Sequence, residues 1–151
     1  MGEKREILAL ASDHGGYWMK DFIRFKLQDA GYEVKDFGTH SGESVDYPDF
    51  IHPLAHAVNE GIFQRAIIMC GSGNGAQMTA NKYPRVRAGL CWNVEQARLI
   101  RMHNDANILS LPGRYVTFDE AWKMVEVFLN TPFEGGRHEA RVKKISQLIK
   151  E

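Results

Sequence analysis

Short apolar runs alternate with stretches of helical periodicity along the chain, and this alternation constrains the fold more than any other feature. Ile7–Ser12, Ala66–Met69, Ala88–Trp92 and Asn107–Leu111 are too short for buried helices, and each is followed by turn-forming residues. They read as buried strands, with Tyr32–Phe37 as another, second in order. Between them, Met19, Phe22, Ile23, Leu27 and Ala30 fall at helical spacing and stop at Gly31. Phe50, Ile51, Leu54, Ala55 and Val58 form a second helical face ended by Gly61, with Pro53 leaving its start unset. Residues 76–82 predict a short helix, and Asn93 predicts an N-cap for a helix through Met102. Thr117 and Glu120 have capping-box spacing for a helix to Leu129. A last helix is predicted over 138–150, with Val142, Ile145, Leu148 and Ile149 on its apolar side.

Strands that alternate with helices build parallel sheets, because each crossover helix returns the chain to the same edge. The expectation is one α/β domain over residues 1–151: a three-layer α/β/α, Rossmann-like arrangement with a five-stranded, mainly parallel sheet and a C-terminal helix. Such sheets bind ligands beyond the C-terminal ends of their strands.

Charge narrows the function. Lys and Arg number 19, as do Asp and Glu, so there is no basic excess of the kind a general nucleic-acid or anionic-membrane binder carries. Two cysteines, Cys70 and Cys91, are too few for a disulfide scaffold or a four-cysteine metal site. The N-terminus lacks a secretory pattern and no apolar stretch reaches transmembrane length, so the expected location is cytoplasmic. A chain of 151 residues also leaves no second domain to close over a substrate.

The strongest chemical signal is Cys70-Gly-Ser-Gly-Asn-Gly75, where a strand runs into a loop with glycine at 71, 73 and 75. Glycines let backbone N–H groups approach a ligand closely, and a following helix favours an anion there. The loop also sets Cys70 near a helix N-terminus, a position that favours the thiolate form of cysteines in general. Three familiar patterns fail. The dinucleotide fingerprint expects an acid about 20 residues on, where Cys91, Trp92 and Asn93 stand. A phosphate-loop NTPase needs Gly-Lys-Ser/Thr, which is absent, and Ala76 stands where a Cys-x5-Arg phosphatase needs arginine.

Other candidates are Asp13-His14-Gly15-Gly16 after the first strand and His103-Asn104 at a helix end. For His103 and Asn104 to join the Cys70 loop, their helix must deliver them to the same sheet edge. Arg137 and Arg141 share a face at the start of the last helix and suit a phosphate, while Lys143 and Lys144 alongside suit a plain basic surface. Arg114 is a third candidate cation. His52 and His56 have metal-pair spacing but no third ligand nearby, and Cys91 reads as core.

Together these residues resemble the type B ribose-5-phosphate isomerases, a family that includes galactose-6-phosphate isomerase subunits. The matching pieces, in family order, are Ser12-Asp-His-Gly-Gly16, Asp46-Tyr-Pro-Asp49, Cys70-Gly-Ser-Gly-Asn-Gly75, Ala80-Asn-Lys82, His103-Asn-Asp-Ala-Asn107 and Gly135-Gly-Arg-His138. The resemblance implies aldose–ketose isomerisation of a phosphorylated sugar without metal or cofactor. It implies Cys70 as the base, Ser72 as a proton-shuttling hydroxyl and His103 in opening the furanose ring. Asp13 and Tyr47 would contact the ring oxygen or hydroxyls, and Asn104 the sugar. Gly71, Gly73, Asn74 and Gly75 would supply backbone N–H groups to the enediolate. His14, Arg137 and Arg141 would hold phosphate, with Arg114 alongside. Asn74 departs from a family branch that uses Glu as base in this loop. The resemblance also implies a homodimer or tetramer with its site between subunits, and the alternatives are a six-carbon substrate such as allose or galactose 6-phosphate and a non-catalytic sugar-phosphate-binding module; the charge balance implies no nucleic-acid or membrane partner.

Overall fold

A computed structural model describes residues 6–150; residues 1–5, part of the stretch that lacks a secretory pattern, and residue 151 lie outside it. The strands are β1 (Ile7–Ser12), β2 (Glu33–Asp36), β3 (Ala66–Cys70), β4 (Ala88–Leu90) and β5 (Ile108–Pro112). The helices are α1 (Tyr17–Asp29), α2 (Tyr47–Asn59), α3 (Asn74–Ala80), α4 (Val94–Met102), α5 (Phe118–Asn130) and α6 (Arg137–Lys144). All strand pairs are parallel, in the order β2-β1-β3-β5-β4.

Alternate strand residues feed two cores, as the pleat requires. Leu8, Leu10, Ile67, Met69, Leu109 and Leu111 face α1, α4 and α5 through Ile23, Leu27, Ala97, Met124 and Phe128. Ala9, Ala11, Ile68 and Ile108 face α2 and α3 through Ile51, Leu54, Ala76 and Ala80. The smaller strand residues on this second face bring α2 and α3 close to the sheet. The result is the expected three-layer α/β/α domain.

The strand order reverses between β1 and β3. The chain leaving β1 enters α1 on one face, and the chain leaving β3 enters α3 on the other. This divergence opens a crevice at their C-terminal ends, where open α/β sheets hold ligands.

Several element boundaries differ from the sequence expectation. α2 begins at Tyr47, with Pro48 in the first turn, where a missing N–H costs nothing. It also accommodates Pro53 because Ile51, Leu54, Ala55 and Val58 are all buried. α6 stops at Lys144 instead of running to 150. Ile145, Leu148 and Ile149 are exposed in the single chain, so no burial supports further turns. The N-caps at Asn93 and Thr117, including the Thr117–Glu120 capping box, form as expected. His52 and His56 lie exposed on α2 against Tyr83, and Cys91 is fully buried. Among the described residues no helix is long and apolar enough to cross a membrane.

Candidate active site

Two clusters of chemical groups form, at opposite ends of the sheet. The first occupies the crevice between β1 and β3. Asp13 follows β1 and is nearly buried; its Oδ1 accepts from Gly15 N at 2.8 Å. This fixes the tight turn that brings Gly15 against the next loop: a Cβ on Gly15 would lie 2.8 Å from Gly71 N. Cys70 ends β3, its carbonyl accepting from Gly113 N at 2.9 Å, while Gly71 O accepts from Arg114 N at 2.9 Å. The chain beyond β5 thereby runs beside the cysteine loop and sets the Arg114 guanidinium next to Gly71.

Gly73 takes a left-handed conformation, φ +78°, which lets the loop turn into α3. Its carbonyl accepts from Ser110 Oγ at 2.8 Å. Ser72 Oγ accepts from Asn74 N at 3.2 Å. Tyr47, at the start of α2, lays its ring over Gly75. His14 Nδ1 accepts from Val45 N at 3.1 Å, so the neutral ring carries its proton on Nε2. Asp13, His14, Tyr47, Cys70, Ser72, Asn74, the three loop glycines and Arg114 thus share one edge.

The second cluster is built at the C-terminal end of α4. α4 returns from the end of β4 to the start of β5, so it ends at the N-terminal edge of the sheet. The following turn is held by Asp105, φ +47°, whose Oδ1 accepts from Arg101 Nη1 at 2.9 Å. Glu134 N donates to Met102 O at 3.0 Å and docks the approach to α6 beside it. His103 then stacks on His138, with ring centroids 4.3 Å apart and planes 15° from parallel. Glu134 carboxylate oxygens lie 4.0 Å from His103 Nε2 and 3.9 Å from His138 Nε2. Burial pushes His138 below the ordinary imidazole value; His103 adds to this, Glu134 opposes it, and Arg137 and Arg141 add again. Asn104 borders a cavity of about 500 Å³ lined by Val86, Ile100, Ala106, Ile145 and Leu148.

Within one chain the candidate residues therefore divide between the two edges of the sheet. His103 and Asn104 do not reach the edge that carries Cys70, because α4 spans the height of the sheet. Arg137 and Arg141 likewise stand with His103, not with His14, so the phosphate clamp does not close within one chain. Arg114 is the arginine at the cysteine edge. Among the described residues no carboxylate pairs with Arg114, Arg137 or Arg141.

Sequence reasoning overlooked Val45, whose amide orients His14, and Ser110, whose hydroxyl holds the loop. Neither leaves a sequence signal, since one acts through backbone and the other arrives by strand pairing. Glu134 was also missed, although its spacing four residues before His138 is a usable signal.

A family model described as Ribose/Galactose Isomerase matches residues 8–145. Ribose-5-phosphate isomerase B of Escherichia coli is 38% identical over 141 residues, 93% of this chain and 95% of that protein. The structure of Clostridium thermocellum ribose-5-phosphate isomerase B is 50% identical with TM-score 0.92, covering 93% of this chain and 95% of that one. The Mycoplasma genitalium enzyme of the same name, with bound ribulose-5-phosphate, is 38% identical with TM-score 0.90, covering 93% and 94%. With both the fold and nearly the full length matched, the chain belongs to the ribose/galactose isomerase family.

Proposed function

We propose that this protein interconverts ribose 5-phosphate and ribulose 5-phosphate. The observation that carries the reading is Cys70 at the end of β3, beside Asp13 and the glycine loop in the crevice at the strand-order reversal. The relative that holds ribulose-5-phosphate supports the substrate class.

In this reading the Cys70 thiolate removes the proton from carbon 2 of the open-chain aldose. The electrons move into an enediolate, and the proton returns at carbon 1 to give the ketose. Backbone N–H groups of residues 71–75 stabilise the developing oxyanion, and the Ser72 hydroxyl moves the proton between the two oxygens. Asp13 and Tyr47 contact the sugar, and His14, with Nε2–H as donor, joins Arg114 at its charged end. The required groups are completed by a second copy, which presents its own His103 for ring opening, Asn104 to the sugar and Arg137 and Arg141 to the phosphate. A homodimer, or a tetramer of two such pairs, follows from this split, and a cytoplasmic location suits a free thiol.

The test is conversion of ribose 5-phosphate to ribulose 5-phosphate in EDTA, beside allose and galactose 6-phosphates. Cys70→Ala should lower kcat by at least about a hundredfold with KM little changed. Near-normal turnover by Cys70→Ala would refute the assignment of the base. A higher kcat/KM on a six-carbon sugar would move the substrate to that class.

A further inference from the structure

We propose that His103, Glu134 and His138 form a binding site for a borderline-soft divalent cation of the Zn²⁺ class, which silences the enzyme by occupying His103. One ligand atom from each residue lies within 4.8 Å of the others. Two imidazole nitrogens and a carboxylate make a three-ligand zinc set, with a fourth position left for water.

The second observation is His138 itself. The residue is 6% exposed, and its Nε2 is buried without a hydrogen-bond partner among the described residues. A buried polar atom in that state costs free energy that a ligand recovers.

Zinc bonds of about 2.0–2.2 Å require the three donors to draw together. The near-parallel stack also prevents one ion from lying in both ring planes, so His103 must turn out of the stack. It has room to do so, because its side chain is 38% exposed and it stands at the end of α4. The facing charges set the strength. Arg137 and Arg141 on α6 oppose a cation, Arg101 on α4 is paired with Asp105, and the Glu134 carboxylate favours it. The site is therefore an inhibitory one of moderate affinity. Occupation is independent of the proposed reaction, whereas the silencing rests on the assignment of His103 to ring opening.

Zn²⁺ titrated into the full-length protein against a chromophoric chelator tests occupation, and the isomerase assay tests silencing. Wild type and Cys70→Ala should each bind one Zn²⁺ per chain. Glu134→Gln and His138→Gln should each bind at least about tenfold more weakly while keeping wild-type circular dichroism. Zn²⁺ should inhibit wild type reversibly to EDTA, and Glu134→Gln should resist it relative to its own uninhibited rate. Equal Zn²⁺ affinity in wild type and Glu134→Gln, or binding lost in Cys70→Ala, would overturn the site. Binding at these residues without inhibition would overturn the silencing.

Discussion

Cys70 and His103 stand at opposite ends of one parallel sheet: Cys70 closes β3, and His103 caps α4 just before β5 begins. The separation follows from topology. In a parallel sheet every crossover helix carries the chain from the C-terminal edge back to the N-terminal edge. A residue at the end of a crossover helix therefore cannot share an edge with a residue at the end of a strand. In the proposed two-fold dimer, two copies packed antiparallel across an interface would remove that restriction.

The two thiols should differ sharply in reactivity. Burial in an apolar surround pushes Cys91 up to about 12, whereas Cys70 opens the glycine loop at the crevice. Iodoacetamide at mildly alkaline pH should label Cys70 first and abolish activity, with Cys91 labelled after unfolding. Peptide mass mapping reads the order, and labelling of Cys91 in the native protein would contradict it. A thiol whose folded value is raised stabilises the fold below its unfolded value and loses that contribution as pH rises. Stability should therefore decline above about pH 8.5.

Gly75→Ala and Gly73→Ala should fail in different ways. A Cβ on Gly75 would run into the Tyr47 ring, closest at Cζ and 2.7 Å from both Cε carbons, and Tyr47 is an exposed side chain able to swing aside. Thermal stability should change by less than about 1 kcal/mol, while kcat/KM falls about tenfold or more as Tyr47 leaves its place. A Cβ on Gly73 would meet Leu90 Cδ1 at 2.5 Å and the Leu111 carbonyl oxygen at 3.0 Å, at φ +78°. That substitution should cost about 2 kcal/mol or more in denaturant unfolding.

His138 sets an acid limit on stability. Its folded value lies below the ordinary one, chiefly through burial and then through His103. The folded state therefore binds fewer protons than the unfolded chain just below about pH 6.5, and stability rises with pH through that window. Melting temperatures should fall as pH drops below about 6.5, and His138→Gln should flatten that slope. An unchanged slope in the variant would place the titrating group elsewhere.

Much of the scaffold was legible because its signals are local. β1 and α4 follow from an apolar run and an Asn N-cap, and the capping box at Thr117 starts α5 where its spacing predicts. Cys70, Asp13 and His14 were legible as neighbours because strand ends in a parallel sheet converge on one edge, and Tyr47 because its loop returns to that edge. The placing of Arg137 and Arg141 beside His138 and its stacked partner His103, away from His14, was not, since it depends on where a helix finishes across the sheet. The end of α6 was overextended because the apolar stripe Ile145, Leu148 and Ile149 looks like a helix face. In one chain that stripe has nothing to cover it.

The division of the site between two copies is tested most directly by mixing two inactive variants. Cys70→Ala chains lack the proposed base, and His103→Asn chains lack the proposed ring-opening group. Each alone should isomerise ribose 5-phosphate at a small fraction of the wild-type rate. Unfolded together and refolded at equal concentration, they should recover about a quarter of wild-type activity, because half the dimers are mixed and each mixed dimer holds one intact site. Activity in the mixture no greater than that of the separate variants would contradict a site shared between chains.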